Sequence, residues 1–424
     1  MTAHEPAMPV KARFFTCGTI ILTALAGLGI AGYIYRLLFG LHAATNLSNQ
    51  YPWGIWIAID VASGVALAAG GFTTAAIADI FHKKEYHAVV RPALLTAMLG
   101  YTFVVIGLLA DLGRYYNIWH PMLPSMWQGN SVLFEVGICV MIYLTILYIE
   151  FIPIVVERFK GRMRLRRPLK FLNGLIEFWL GIMGRYLTRF ISVFIIGGVV
   201  LSCLHQSSLG TLMVIAPTKM HPLWYTNISP LLFLLSAMAV GFPMVMFESI
   251  LASRSFRLKP EVGVLSSLAR YTPILLGIYL AVKIIDLTNR GVWHYLWEGS
   301  LQSVMYMIET GGGVIIPMML LSIPRVRQSV KGLFTSATLV IILGVLLNRI
   351  NVFLIAYKPL YPGKAYFPTP LEIGVTIGLI SLLVLVYRAF VMIFPVISSS
   401  VKEDSHAAAT LQNIAVKVNP GEAK

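Results

Sequence analysis

Apolar stretches long enough to cross a lipid bilayer recur along this chain of 424 residues. A membrane-spanning helix needs roughly 20 predominantly apolar residues. Ten stretches meet that length, near residues 14–40, 53–81, 92–116, 131–156, 188–216, 229–252, 262–287, 300–323, 331–356 and 371–396. Only 12% of the residues are charged, whereas soluble proteins contain about 25%. The pattern predicts an all-α integral membrane protein with about ten transmembrane helices.

The basic residues between the spans indicate how the chain is oriented. Cytoplasmic loops of membrane proteins are enriched in Lys and Arg. Of the 33 Lys and Arg residues, 23 lie in the tails and alternate loops on one side, 4 lie on the other side, and 6 lie within or at the ends of spans. We therefore expect both termini to be cytoplasmic. The net charge of +15 is explained by topology and contact with anionic lipid, so nucleic acid is not an expected partner.

A weak internal repeat divides the spans. An acidic residue ends the third span, and a Trp-x-Gly sequence follows it and precedes a carboxylate in the next span. Asp286 and Glu309 repeat the pattern of Asp111 and Glu135. The repeat predicts two four-helix bundles related by an axis along the membrane normal. Chance similarity is the other explanation, because such residues are common at helix starts.

The predicted segments follow from this repeat. The chain would begin with a cytoplasmic tail and a retained flanking helix, since the first span is too long for a secretory signal and lacks a small-residue cleavage site. The first bundle would carry a cytoplasmic interfacial helix, because an apolar face at helical spacing follows a basic run. The segments are a tail at 1–13, a flanking helix at 14–40, a first bundle at 50–216 with the interfacial helix at about 163–185, a second bundle at 229–356, a flanking helix at 371–396 and a tail at 397–424.

Ionisable residues inside the spans are the main candidates for function. A charged side chain near the centre of a bilayer costs about 2.5 to 3.5 kcal/mol on the insertion scale. One group falls in the outer half of the first bundle, at Asp60, Asp111, Arg114, Glu135 and His205. A second group falls in the second bundle and last span, at Lys283, Asp286, Glu309, Arg349 and Arg388. Each residue could instead form a structural ion pair or a hydrogen bond between helices.

Histidine and cysteine positions bear on whether the chain holds a redox centre. A b-type haem in a helix bundle needs axial ligands at membrane depth, and only His205 of the nine histidines lies deep in a span. The three cysteines lie singly in apolar runs and have no metal-ligand spacing. We therefore expect neither haem, iron–sulfur cluster nor metal on this chain, and any electron chemistry must use a diffusible carrier.

Several motifs resemble the NrfD/PsrC family of quinone-interacting membrane subunits. The motifs are Pro52-Trp-Gly-Ile-Trp-Ile-Ala-Ile-Asp60, Asp111-Leu-Gly-Arg114, Asn130-Ser-Val-Leu-Phe-Glu135-Val and His205-Gln-Ser-Ser-Leu-Gly210. The string Tyr86-His-Ala-Val-Val-Arg91-Pro resembles the long branch of the family, which includes HybB of nickel–iron hydrogenases and the membrane subunit of high-molecular-weight cytochrome c complexes. The motifs cover about residues 50–215 closely, and the second half resembles the family mainly in span pattern and charge positions.

The resemblance implies a quinone site near the outer face of the first bundle, with a menaquinone-type quinone as the carrier. It implies a bacterial cytoplasmic (inner) membrane, a periplasmic ferredoxin-like iron–sulfur subunit, and a hydrogenase or multihaem cytochrome c as the catalytic partner. A quinone site needs hydrogen-bond donors, proton-exchanging side chains and an apolar cleft.

Roles can be assigned to particular residues on that basis. His205 would bind a quinone carbonyl and exchange protons, together with its polar neighbours Gln206 and Ser207. Asp111 and Arg114 would orient it, and Asp60 and Glu135 would pass protons deeper. The aromatic side chains that could flank the ring, or could equally be packing residues, are Trp53, Trp56 and Phe134.

Proton movement across the membrane is a further hypothesis. Buried carboxylates line proton routes in pumps. The residues that could do so here are Glu150, Glu248, Lys283, Asp286, Glu309, Asn348 and Arg349. Contacts between helices are the competing explanation for them. Two other functions remain open: an ion-coupled secondary transporter, which can share parallel repeats and buried charge, and a passive anchor, which would need no deep charge.

Overall fold

The computed structural model describes residues 7–80, 82–161, 172–361 and 364–397. Ten helices in these ranges are long and apolar enough to cross a membrane. They are α1 (Cys17–Phe39), α2 (Trp56–Ile80), α3 (His87–Asp111), α4 (Val132–Phe159), α5 (Arg189–Val214), α6 (Ser229–Phe256), α7 (Val262–Arg290), α8 (Leu301–Ser322), α9 (Val330–Ile355) and α10 (Pro370–Ile393). Each coincides with a predicted span to within five residues at either end. The predicted all-α membrane fold is therefore confirmed.

Helices that follow each other along the chain pack as antiparallel neighbours. In the first half α2 packs on α3 and α4 on α5, and in the second half α6 packs on α7 and α8 on α9. These pairs are those expected of two four-helix bundles, although the proposed repeat between the bundles stays a prediction. Of the two predicted tails, residues 1–6 and 398–424 lie outside the described residues. The N–H of Val10 donates to the carbonyl of Val391 at 3.2 Å, which ties the start of the chain to the end of α10.

The flanking helices α1 and α10 pack on each other, and α10 also packs on α2 and α3. Their axes approach most closely where Gly29 of α1 faces Gly378 of α10. A methyl group at either position would overlap the backbone of the other helix. Small residues allow such close approach between membrane helices. The flanking pair therefore lies against the first half of the chain.

Helix α2 lies between the two halves of the chain. It packs on α3 on one side and on α6 on the other. The helix is interrupted by a turn at Ala68–Ala69. Just beyond the turn, a methyl group at Gly70 would lie 3.1 Å from the carbonyl oxygen of Gly241 in α6. The absence of side chains at these glycines lets the halves meet near mid-membrane.

Three of the spans contain wide, π-helical turns, which are frequent at functional sites. They are Trp56–Ser63 and Ala76–Ile80 in α2, Ile308–Ile315 in α8, and Val340–Leu346 and Asn351–Ile355 in α9. Asp60 lies in the first of these and Glu309 in the one in α8. Gly313 of α8 meets the backbone of Gly344 in α9 with no side chain between them. The wide turns thus place both carboxylates at positions where helices cross closely.

One predicted boundary differs from the structure. A separate interfacial helix was expected at about residues 163–185, but residues 172–185 belong to the same continuous helix as α5, which runs for 43 residues from Leu172 to Val214. Residues 162–171 lie outside the described residues. No proline lies between these residues to end the helix. Gly184 packs on α4, where an added methyl group would lie 3.2 Å from Val156. Contact of its apolar face with lipid stays a prediction.

The glycine crossing of α1 and α10 can be tested with two variants of one helix. Gly29→Leu should lower the melting temperature of the purified protein, because overpacking a tight contact typically costs about 1–3 kcal/mol. Gly27→Leu is the matched control, since Gly27 has no heavy atom within 4 Å of its Cβ position. Thermal unfolding in detergent measures both. Equal melting temperatures for the two variants would show that the crossing is looser than described.

Candidate functional site

His205 lies at the centre of a buried group of aromatic and polar side chains. One ring nitrogen, Nε2, shares a hydrogen bond with the hydroxyl of Tyr101 in α3, and the other, Nδ1, is 2.7 Å from the carbonyl oxygen of Leu201. A carbonyl can only accept, so Nδ1 carries the proton and Tyr101 donates to Nε2. The ring of Tyr143 in α4 lies 4.7 Å from that of Tyr101 and 5.4 Å from the imidazole, centroid to centroid. We call His205, Tyr101 and Tyr143 the histidine cluster.

The polar residues that follow His205 point to different partners. Gln206 donates from Nε2 to the carbonyl of Val65 at 2.8 Å, which joins α5 to α2. Ser208 donates to Glu135 of α4 at 2.6 Å. Ser207 is half-buried. The sequence reasoning singled out this polar run, but it did not identify Tyr101, since a tyrosine in an apolar span is more often a packing residue.

A second group of polar side chains joins α1, α3 and α10 near the predicted outer face. Arg36 of α1 is fully buried, and its guanidinium donates to the carbonyls of Ala110 and Leu112 at the end of α3. Asp111 lies within electrostatic range of Arg36 and of Glu372 in α10. Two buried atoms of this group, Arg36 Nη1 and Asp111 Oδ1, have no hydrogen-bond partner among the described residues.

The same group continues into α2 and α10. Asp60 accepts a hydrogen bond from Thr376 at 2.6 Å. Glu372 accepts from the hydroxyl of Tyr366 at 2.5 Å, and the indole N–H of Trp56 donates to the Glu372 carbonyl at 3.1 Å. We call Arg36, Asp60, Asp111, Tyr366 and Glu372 the outer cluster. The sequence analysis did not select Arg36, Tyr366 and Glu372, because it placed the first and last spans outside the two bundles. A single charged residue within an apolar span, such as Arg36, was a signal that could have identified this group.

The two clusters lie at different depths. Asp60 lies against Gly107 of α3, where an added methyl group would be 2.8 Å from the Asp60 Cβ. Tyr101 precedes Gly107 by six residues, about 9 Å along a helix. Asp111 is a further four residues outward. The structure therefore gives His205 no direct contact with Asp111, which was expected to orient it.

Other predicted site residues lie apart from both clusters or belong to only one. Arg114 and Glu135 are exposed, and Glu135 is bonded to Ser208. The aromatic residues predicted to flank a ring do not converge on one point. The ring centroid of Trp53 lies 5.8 Å from that of Phe353 and 6.2 Å from that of Tyr357. The ring centroid of Phe134 lies 6.0 Å from that of Trp127. The indole N–H of Trp56 donates a hydrogen bond to α10. The single predicted site is thus divided among several places in the structure.

The predicted polar group in the second half does come together, around Glu309. Its side chain is completely buried and accepts four hydrogen bonds. The donors are Lys283 at 2.6 Å and Asn348 at 2.8 Å to Oε1, and Asn351 at 2.8 Å and Trp224 at 3.0 Å to Oε2. A buried carboxylate is tolerated when it is paired and its lone pairs are satisfied. We call this set the Glu309 cluster.

Two further charged residues, Arg349 and Asp286, lie beside the Glu309 cluster. Arg349 donates to Asn348 at 2.5 Å and to Ser236 at 2.8 Å, and it lies over the ring of Phe233 at 3.8 Å. Asp286 pairs with Arg290 at 2.6 Å and accepts from Thr226 at 2.6 Å. Lys283 and Asp286 line the same small cavity, of about 20 Å³. Each of these side chains has at least one partner, but Arg349 Nε and Asn351 Oδ1 are buried without a hydrogen bond among the described residues.

Carboxylates also line cavities on the predicted cytoplasmic side. Glu150 and Asp79 face a cavity of about 200 Å³ between α2, α3, α4 and α5, and Tyr143 of the histidine cluster lies at the same cavity. Glu248 lies at a separate cavity of about 60 Å³ beside Tyr387. The larger cavity therefore leads from the cytoplasmic half of the first bundle to a ring that contacts His205.

Comparison with known proteins gives matches along most of the chain. The family model described as polysulphide reductase, NrfD, matches residues 43–359. A protein of Nitratidesulfovibrio vulgaris is 38% identical over 393 residues, which cover 90% of this chain and 95% of that protein. The probable Ni/Fe-hydrogenase 2 b-type cytochrome subunit of Escherichia coli is 31% identical over 407 residues, or 95% of this chain and 98% of that subunit. The menaquinone reductase integral membrane subunit of Nitratidesulfovibrio vulgaris is 25% identical over 397 residues, or 85% and 88%.

The name of the Escherichia coli relative includes a b-type cytochrome, and a b-type haem in a helix bundle needs axial ligands at membrane depth. His205 and His221 are the buried histidines in the described ranges. Both ring nitrogens of His205 are bonded to protein. His221 lies in a loop between spans, where burial, aided by the charge of Lys358, lowers its pKa to about 4. Its Nδ1 accepts from the N–H of Leu223 at 3.3 Å. The described residues therefore do not fit a haem held by two histidines at membrane depth.

The ion pair between Lys283 and Glu309 should dominate the stability of the second half. Lys283→Met or Glu309→Gln leaves an uncompensated buried charge, which costs about 3–5 kcal/mol, whereas the double variant should recover much of that loss. Melting temperatures of the single and double variants form the cycle. The control is Arg91→Met, because the Arg91–Glu157 pair has a similar length, 2.7 Å, but is 36% and 45% exposed. A loss no larger than that of this control would contradict the expectation.

Proposed function

The chain belongs to the polysulphide reductase NrfD family, and from this premise we propose that it is the quinone-binding membrane subunit of a periplasm-facing respiratory oxidoreductase complex. It would exchange electrons between a menaquinone-type quinone and a periplasmic iron–sulfur subunit. The names of two relatives support the proposal, one as a subunit of a hydrogenase and one as a subunit of a menaquinone reductase. The family resemblance drawn from the motifs is thereby confirmed, and the activity of this chain is the proposal.

The observation that carries the proposal is the incomplete bonding of the outer cluster. Arg36 Nη1 and Asp111 Oδ1 are buried without partners, and an unmade bond to a buried polar group costs about 1–3 kcal/mol. A quinone offers carbonyl oxygens that accept, and a quinol offers hydroxyls that donate. We assign Arg36 Nη1 as the donor to a carbonyl oxygen and Asp111 Oδ1 as the acceptor from a hydroxyl, with the partner subunit supplying or removing the electrons.

Quinone reduction also consumes two protons, and the histidine cluster is suited to deliver them. The cavity lined by Glu150 and Tyr143 reaches the rings that contact His205. The hydrogen bond between Tyr101 and Nε2 allows a proton to pass between the two side chains. Asp60, about 9 Å further outward, would receive it. We therefore assign His205 to proton exchange and the head-group contacts to the outer cluster.

A route for proton translocation through the second half is the finer part of the proposal. Glu248 lies at the 60 Å³ cavity on the predicted cytoplasmic side, and the Glu309 cluster lies in the predicted outer half. The buried Lys283 and Glu309 pair could store and release a proton. The hydrogen bonds that Lys283 and Glu309 make equally suit a structural role. The single and double variants of this pair described above measure how much the pair contributes to stability.

Partners would dock on the predicted periplasmic side. The loop between α3 and α4 exposes Trp119 and Trp127, and two other loops of the same side expose Trp297 and Tyr361 by 82% and 85%. Large aromatic side chains are enriched at protein interfaces. These loops suit a ferredoxin-like iron–sulfur subunit, which would connect the chain to a hydrogenase or multihaem cytochrome c. The excess of Lys and Arg on the opposite side supports cytoplasmic termini in a bacterial inner membrane.

An ion-coupled secondary transporter is the alternative, favoured by the interruption of α2 at Ala68–Ala69 and by the wide turn that holds Glu309. Discontinuous helices near the midplane are typical of such transporters. Ion-driven uptake by the isolated chain in liposomes, without any redox partner, would favour this alternative over the quinone proposal.

The outer cluster can be tested by Asp111→Asn, which keeps the shape of the side chain and removes its charge. We expect kcat/KM for quinone in the intact complex to fall about tenfold to a hundredfold, since hydrogen bonds to charged groups contribute about 1.5–3 kcal/mol. Glu85→Gln, at an exposed position on the predicted cytoplasmic side, is the carboxylate control. Quinone kinetics unchanged in both variants would remove Asp111 from the site.

The role of His205 can be separated from assembly with a dye that accepts electrons from the catalytic partner directly. His205→Ala should reduce quinone-linked turnover by about a hundredfold or more, the range of general acid–base contributions, while dye-linked activity and the yield of the complex stay unchanged. His82→Ala, at an exposed histidine on the predicted cytoplasmic side, provides the control. Normal quinone turnover in His205→Ala would refute the assignment.

A further inference from the structure

The carboxylate of Glu372 is held by donors from two loops. Glu372 is the third residue of α10, and it is fully buried. Its Oε1 accepts from the hydroxyl of Tyr366, in the loop before α10, at 2.5 Å. Its Oε2 accepts from the backbone N–H groups of Thr369 at 2.8 Å and of Asn46 at 3.4 Å. The dipole of a helix also stabilises a negative charge in its first turn. Glu372 is therefore held as an anion that accepts hydrogen bonds through both oxygens.

The hydroxyl of Tyr366 is in turn fixed by the residues just before α2. It accepts from the backbone N–H of Ile55 at 3.1 Å, and its ring stacks on that of Tyr51 with centroids 6.4 Å apart. Gly54 leaves the space for it, since an added methyl group there would lie 2.5 Å from the Tyr366 oxygen and 3.0 Å from Glu372 Oε1. Because the Tyr366 oxygen accepts from Ile55, the proton of the hydroxyl is directed to Glu372.

Glu372 and Tyr366 are both neighbours of Asp111 in the outer cluster. Each lies within electrostatic range of it. Asp111 Oδ1 is buried and has no hydrogen-bond partner among the described residues. An ionised carboxylate can only accept, whereas a protonated carboxyl group can donate. As long as Glu372 is held as an anion, it cannot donate to Asp111, and the acceptor of Asp111 stays free.

Loss of the Tyr366 hydroxyl would change this arrangement. Glu372 Oε1 would then be buried without a donor. A buried carboxylate without hydrogen bonds is costly, and it tends to take up a proton instead. A protonated Glu372 could donate to Asp111 Oδ1. The acceptor that is assigned above to a quinol hydroxyl would thereby be occupied by the protein.

We propose that Tyr366 is a positioning residue for quinol binding, which acts through Glu372 and keeps the acceptor of Asp111 free. The proposal rests on the proposed function, in which Asp111 Oδ1 accepts from a quinol hydroxyl. Tyr366 acts without touching the quinol. Gly54, within the motif that runs from Pro52 to Asp60, is part of the same device, because a larger residue would displace the Tyr366 hydroxyl.

The test uses the intact complex, a short-chain menaquinol analogue, and a dye that exchanges electrons with the catalytic partner. In Tyr366→Phe we expect KM for quinol oxidation to rise about tenfold and kcat to stay within about twofold, as loss of ground-state binding requires. Quinone itself does not use the acceptor of Asp111. In the reverse reaction KM should therefore stay unchanged and kcat should fall about tenfold. General damage to the structure would not produce this split.

Further variants change the same contact by other means. Gly54→Ala displaces the Tyr366 hydroxyl and should give the same split, so the test does not depend on one variant. In a Glu372→Leu background, Tyr366→Phe should change KM by less than about twofold, because residues that act as a unit have non-additive effects. The matched controls are Tyr186→Phe, at an exposed tyrosine, and Gly27→Ala, at an open position, and both should leave the kinetics unchanged.

Asp111→Asn, measured in parallel, separates failure of this proposal from failure of the quinone site. Unchanged quinol KM in Tyr366→Phe and Gly54→Ala, together with impaired kinetics in Asp111→Asn, would overturn the positioning role alone. A tenfold rise that persists in the Glu372→Leu background would also overturn it, since Tyr366 would then act without Glu372. Unchanged kinetics in Asp111→Asn would contradict the proposed site itself.

Discussion

A charge inside the hydrocarbon layer must be neutralised by its neighbours, and the arrangement of the helices depends on this requirement. Apolar surfaces alone do not drive membrane helices together, because lipid is as apolar as they are. Glu309 accepts hydrogen bonds from donors in α7, in α9 and in the loop before α6. Arg36 similarly joins α1 to the carbonyl end of α3. These buried polar side chains therefore fix which helices are neighbours, and close glycine crossings such as Gly29 with Gly378 allow the contact.

Both halves of the chain contain buried polar atoms without a hydrogen-bond partner among the described residues. In the second half, both carboxylate oxygens of Glu309 accept hydrogen bonds, but Arg349 Nε and Asn351 Oδ1 have no partner. In the first half, Arg36 Nη1 and Asp111 Oδ1 have none. A buried polar atom without a partner costs about 1–3 kcal/mol. Incomplete bonding alone therefore does not distinguish the halves, and the proposed head-group contacts in the first half rest also on the family motifs found there.

The spans and the Glu309 cluster could be predicted because both follow from local information. Hydropathy gave the ten helices to within five residues, and Lys283 and Glu309 were already prominent as charges in apolar sequence. The outer cluster could not be predicted in full, since it depends on contact between α1 and α10, which lie at opposite ends of the chain and carry no local signal for pairing. The hydrogen bond between Tyr101 and His205 was missed because a tyrosine in an apolar span is more often a packing residue. The boundary between the interfacial segment and α5 could not be predicted, because hydropathy and charge mark a change of environment, and residues 172–185 continue into α5 without a break.

That continuous helix from Leu172 to Val214 is about 64 Å long at 1.5 Å per residue, roughly twice the thickness of the hydrocarbon layer. His205 lies near one end of it, and the other end begins just after the basic segment between α4 and α5. The segment that follows the basic run and the segment that holds His205 are therefore parts of one rigid element. A substitution that breaks the helix between them would separate two regions that the fold now holds at a fixed distance.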